Sequence, residues 1–187
     1  MWKLGVVLAV AAFPALAVTP SNSVQLAKAL GDQRQTCESL ASELAKNDRL
    51  EEFQRGLDSK LAMQQLQNDV SLYSIRHGRN QSNQYMLDLM DQKLKKDRED
   101  SSKAADLRVE RSAKVADCIS SGLEAGKATY GDFKKGKRPK KDADEAAVLM
   151  TSWVVNMESI SLQTPEGSTE SKAEWQKAKA HAELEAL

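Results

Sequence analysis

Apolar residues recur along this chain at steps of three and four and never settle into a sustained alternation of two. That periodicity predicts helices throughout and no sheet. A first helix is expected from about 23 to 46, with Leu26, Leu30, Cys37, Leu40 and Leu44 on one side. "KND" at 46–48 reads as a break, and Asp48 with Glu51 has the spacing of a cap opening a second helix. That helix carries Leu50, Phe53, Leu57 and Leu61, then Met63, Leu66, Val70 and Tyr73, as one drifting buried stripe. Over about 28 residues it would span roughly 42 Å. "RHGRNQSN" reads as a turn around Gly78.

Ser82 opens the next predicted helix, whose buried side is Tyr85, Met86, Leu89, Met90 and Leu94. Nothing in "KKDREDSSK" is a strong stop, so either one helix of roughly 70 Å runs from 82 to 128 or two helices meet at a hinge near Ser101. The glycines and Pro139 of "GKATYGDFKKGKRPKK" mark a linker. Asp142, with Glu145 three residues on, then caps a helix over about 143–162. It places Ala146, Met150, Trp153, Met157 and Ile160 on one face and Val148, Val155 and Leu162 on another, the pattern of a central helix. "QTPEGSTES" at 163–171 is a second linker, and 172–187 is a final amphipathic helix carrying Trp175 and Leu184. The predicted architecture is all-α: an antiparallel helical bundle over 18–162, coiled-coil-like in its long elements, with at least one long, protruding helix.

The first seventeen residues change where this bundle is expected to work. Lys3, an apolar run from Leu4 to Phe13, Pro14 and the Ala15–Ala17 pair have the layout of a secretory signal peptide cleaved after Ala17. Ten apolar residues are too few to cross a hydrocarbon core of about 30 Å. The expected product is a periplasmic or secreted protein, not membrane-spanning once the leader is removed. It would hold 26 Lys and Arg against 27 Asp and Glu, a balance that argues against a nucleic-acid binder. Only 31 of its 170 residues are Leu, Ile, Val or Phe. Such a core is lean, and cross-links would matter to it.

Two cysteines remain after cleavage, Cys37 and Cys118, each on an apolar helical stripe. In an oxidising compartment an even cysteine count reads as a disulfide. His77 and His181 are solitary, and no metal-ligand spacing, phosphate loop, dinucleotide fingerprint or nucleophile elbow occurs. No catalytic, cofactor-binding or metal site is therefore assigned. Asn80 opens the one N-x-S acceptor, in a predicted exposed turn.

Between 134 and 141, Lys134, Lys135, Lys137, Arg138, Lys140 and Lys141 form a dense basic run beside Tyr130 and Phe133. Outside the cytoplasm it cannot act as a nuclear address. It reads as a solvated linker or, alternatively, as a contact for anionic lipid, lipopolysaccharide or wall polymer. Tyr130, Phe133 and Trp175 are the aromatic candidates for partner contact, Trp175 equally for docking its own helix. Together these features favour a non-catalytic exported protein that binds another envelope protein. An immunity or inhibitor protein, a secretion or pilus accessory subunit and an exclusion factor all fit that description; a periplasmic holdase chaperone is a further alternative.

Overall fold

The computed structural model describes residues 20–184, except for the side chains at 79 and 80. The signal peptide expected at 1–17 and the Asn80 side chain lie outside that range. Four helices and no strands are found among the described residues: α1 Ser23–His77, α2 Arg79–Lys135, α3 Lys140–Glu158 and α4 Thr169–Leu184.

α1 begins where Asn22, in extended backbone, accepts a 2.9 Å hydrogen bond from the Gln25 amide. It then runs without interruption for 55 residues, about 82 Å at 1.5 Å per residue. The break expected at "KND" is absent because Lys, Asn and Asp are only mildly unfavourable inside a helix, and Asp48 spends its carboxylate on arginines of α2 instead of on a cap. Gly78 alone joins α1 to α2: its φ of 85° is open to glycine, and its amide still closes the last turn on Ser74. Pairs across the two helices then descend in step, Val70 with Ser82, Ser59 with Lys93, Asp48 with Arg108 and Cys37 with Cys118. The two helices form one long antiparallel hairpin.

α2 is continuous over 57 residues, so neither a hinge at Ser101 nor a linker from 126 exists. Gly126, the first glycine of that expected linker, does different work, and Gly122 within the predicted helix shares it. An added Cβ at Gly126 would sit 2.1 Å from the Trp153 ring, and one at Gly122 would sit 2.8 Å from the Met157 methyl. These positions let α3 approach α2 closely. The real connection is residues 136–139, after which α3 begins with Pro139 at its N-cap. Asp142 therefore lies in the first turn, where its charge suits the positive end of the helix, and makes no cap.

The core occupies only the end of the hairpin that α3 and α4 cover. Trp153 is fully buried, and its indole N–H donates to the Leu30 carbonyl at 2.8 Å. Around it pack Leu26, Leu30, Phe133, Leu149, Met157 and Trp175. α3 packs on α1, α2 and α4, but its predicted second apolar face is open at Val148 and Val155, which stand more than half exposed, while Leu162 is buried beyond the helix end. The segment between α3 and α4 is ordered by hydrogen bonds. Gly167 turns with a φ of 84°, Asn156 donates to the Ser171 hydroxyl at 3.0 Å, and Arg34 donates to the Glu166 carbonyl at 3.0 Å. α4 consequently starts at Thr169 and is integral to the base rather than an appendage. The Cys37–Cys118 disulfide, Cα atoms 5.7 Å apart, ties α1 to α2 near the edge of this core.

Candidate interaction surface

Beyond Asp48 and Arg108 the hairpin continues without α3 or α4 as a two-helix arm. About 30 residues of each helix give it a length near 45 Å. Its root is a charged node. Arg108 donates to one Asp48 carboxylate oxygen through two nitrogens, at 2.9 and 2.6 Å, and Arg111 donates to the other at 3.0 Å and to Glu51. The Arg108 hydrogen bonds, with both guanidinium charges, hold the Asp48 carboxyl below its usual range against the opposing effect of burial. Arg111 is held more firmly protonated in return, chiefly by Glu51.

Past the node the seam between the helices is polar and incompletely filled. Lys93 bridges Ser59 at 3.1 Å and Asp97 at 2.5 Å. An open cleft of about 980 Å³ lies between the helices, lined by Arg55, Ser59, Ala62, Asp97, Ala104 and their neighbours. Small and charged side chains meet where a long coiled coil would place Leu or Ile. Only toward the tip do rings close the seam, with Tyr73 stacked on Tyr85 of α2 at 4.3 Å and tilted against His77 of its own helix at 4.4 Å.

The apolar side chains of the arm point elsewhere. Of fifteen large hydrophobic residues exposed among the described residues, twelve lie between Leu50 and Val109. Leu50, Phe53, Leu57 and Leu61, expected on a buried stripe with Leu66, Val70 and Tyr73, are instead 54%, 63%, 44% and 57% exposed. The sequence held the signal that separates them. Leu57 and Leu66 are nine residues apart, two and a half turns, and so face opposite sides of one helix. Leu66, Val70 and Tyr73 are half-buried, Val70 and Tyr73 opposite Ser82 and Tyr85 of α2; the earlier leucines, with Leu72 and Ile75, face away. On α2, Leu87, Met90 and Leu94 are likewise open, contrary to expectation for Met90 and Leu94.

The other sequence-derived candidates are dispersed. Lys134 and Lys135 close the last turn of α2, where cations suit the negative helix end. Lys134 stands 5.5 Å over the Tyr130 ring, and Lys135 pairs with Asp132. Lys137 is exposed in the connection, and Lys140 and Lys141 begin α3. Arg138 is structural: it donates to the carbonyls of Phe133 at 2.8 Å, Pro20 at 2.6 Å and Ser21, and its guanidinium lies 3.9 Å over the Phe133 ring. The run is thus no free linker, because one of its six cations clasps the entry of α1 to the exit of α2. Phe133 and Trp175 are buried in the core, which withdraws them from the surface offered to a partner, while Tyr130 is half-buried. Trp175 docks its own helix, with its ring against Gly31.

Among the described residues no group of three or more His, Cys, Asp and Glu side chains is placed to hold a metal ion, and no helix is long and apolar enough to cross a membrane. No protein-family model matches the chain, nor does any curated protein or solved structure.

Proposed function

We propose that this is a non-catalytic, exported binding protein whose arm engages another protein of the cell envelope. The observation that supports this reading is the division of labour along the hairpin. The base buries most of its hydrophobic residues and is cross-linked, whereas the arm turns eleven large apolar side chains to solvent around a polar seam. Scattered exposed hydrophobics are ordinary, but contiguous ones on a projecting element mark contact surfaces. Immunity, secretion-accessory and exclusion roles all require such a surface, and export follows from the leader.

Site-specific photo-crosslinkers placed at Leu87 and Leu94 of α2, with Val148 of α3 as the control, test it in source cells. The expected result is a discrete adduct with one envelope protein from the arm positions only. Equal labelling from all three positions, or adducts with many proteins, overturns specific binding; the latter points to the chaperone alternative. A contact with anionic surfaces through Lys134, Lys135, Lys137, Lys140 and Lys141 remains the second reading, carried by their exposure around one end of the base. Salt-sensitive flotation with anionic vesicles that disappears on Gln replacement of these five lysines supports it, and no flotation ends it.

A further inference from the structure

The outer face of α1 along the arm carries a single stripe: Leu50, Phe53, Leu57, Leu61, Leu72 and Ile75, between 44% and 82% exposed. Gln64 and Asn68 continue its three-and-four spacing across the gap. The stripe lies opposite the α2 seam, and none of the other described helices covers it. We propose that its occupant is a second copy of the chain, bound antiparallel about a two-fold axis so that the two α1 helices pack along their outer faces. This rests on the reading of the arm as an interaction surface and names one partner for it.

Three observations point to self-association. The first is area. A fully open Leu, Ile or Phe side chain offers about 120 Å² of apolar surface, so six at the observed exposures supply roughly 430 Å². A standard stable interface of about 800 Å² per partner is a little over half apolar, about 450 Å². The stripe is thus of the size one symmetric interface needs. The second is charge. Residues 49–107 carry ten Lys and Arg and ten Asp and Glu, so two arms do not repel. Between Leu61 and Leu87 only Asp69, Arg76 and Arg79 are charged, in a chain that is 29% charged overall. Depletion of charge accompanies interfaces, and this stretch carries the Leu61–Ile75 half of the stripe.

The third observation fixes the direction. Five turns before Leu50, Phe53 and Leu57 the same line of α1 carries Asp32, Gln35 and Ser39, all exposed. Parallel pairing would carry the contact onto the base and set these polar residues against their own copies, Asp32 against Asp32. Antiparallel overlap places each base past the tip of the other arm, with the Leu50 end of one stripe beside the Ile75 end of the other. Such a two-fold contact closes on itself and needs no further copies.

Sedimentation velocity on the purified protein, with concentration raised to about 100 µM, reads the outcome, since a standard-size interface should be at least half formed there. The expected species is a dimer, elongated along the arm axis. Phe53→Glu with Leu57→Glu should weaken it at least tenfold while leaving the thermal unfolding of the cross-linked base unchanged, and Val148→Glu on α3 should leave the dimer intact. A monomer throughout the range, or a dimer that survives the two stripe substitutions, overturns the proposal. A monomer still crosslinked to one envelope protein through α2 loses this inference and keeps the functional reading. A dimer whose α2 captures nothing does the reverse.

Discussion

Gly126 offers the sharpest test of how the base is assembled. Replacing a mid-helix glycine by alanine ordinarily stabilises by about 1 kcal/mol, because the unfolded backbone loses freedom and the helix gains a good former. At Gly126 the new Cβ centre would lie 2.1, 2.6 and 2.9 Å from three carbons of the Trp153 ring, where carbon contacts are relaxed at about 3.5–4.0 Å. The ring cannot simply swing aside: it is fully buried and its N–H is held by the Leu30 carbonyl. α2 and α3 must separate by roughly 1.5 Å or the indole must leave its rotamer, either of which belongs at the upper end of the 1–3 kcal/mol typical of overpacked cores. Against the propensity gain, Gly126→Ala should destabilise by a net of about 2 kcal/mol. Gly56→Ala and Gly131→Ala meet nothing within 4 Å and isolate the propensity contribution. Urea unfolding followed by far-UV circular dichroism measures all three. For a chain of this size Gly126→Ala should lower Tm by about 4–8 °C, while the controls raise it by a few degrees. If Gly126→Ala is as stabilising as Gly56→Ala, Trp153 does not pack on α2 as described, and the close approach of α3 is refuted.

Reduction, or Cys37→Ser with Cys118→Ser, opens a bridge between residues 81 apart, and should cost about 4.5 kcal/mol on the chain-entropy estimate; calorimetry with and without reductant reads it as a Tm lower by 10 °C or more. The Asp48 carboxyl titrates lower in the folded protein than its ordinary 3.8, so its contribution is present above that pH and fades as pH falls through the folded value. Asp48→Asn should therefore cost about 2 kcal/mol at neutral pH by removing the main partner of Arg108 and one of the two partners of Arg111, and progressively less as pH falls below 3.8, in paired denaturation series. Arg138→Gln removes three carbonyl hydrogen bonds and should cost about 1–2 kcal/mol with faster amide exchange at the start of α1. Gln at Lys134, Lys135, Lys137, Lys140 or Lys141 should stay within about 0.5 kcal/mol each, and an equal loss at Lys137 would contradict the clasp.

The all-α class, the disulfide pair and the burial of Trp153 were legible because each rests on local information: period, cysteine parity and an apolar stripe. Helix ends were legible where backbone chemistry dictates them, at Asn22 and Gly78. They were misread where the same residue type serves two purposes. Asp48 has cap spacing yet pairs with arginines sixty residues away. Gly126 has the look of a linker glycine, yet here it admits Trp153 within a continuous helix. Arg138 looked like one cation among six until the chain folded the carbonyls of Pro20 and Ser21 against it.

The candidate surface divides in the same way. Sequence by itself determined that α1 would carry apolar residues along its whole length and that the chain near 61–87 would be poor in charge. Which of those residues are covered was decided by tertiary structure alone. α3 and α4 are short and fold back on the base, so 49–107 is left with one helical neighbour and two faces to satisfy. A helix can bury only the face its partner reaches; Leu66, Val70 and Tyr73 have that partner in α2, and Leu50, Phe53, Leu57 and Leu61 do not.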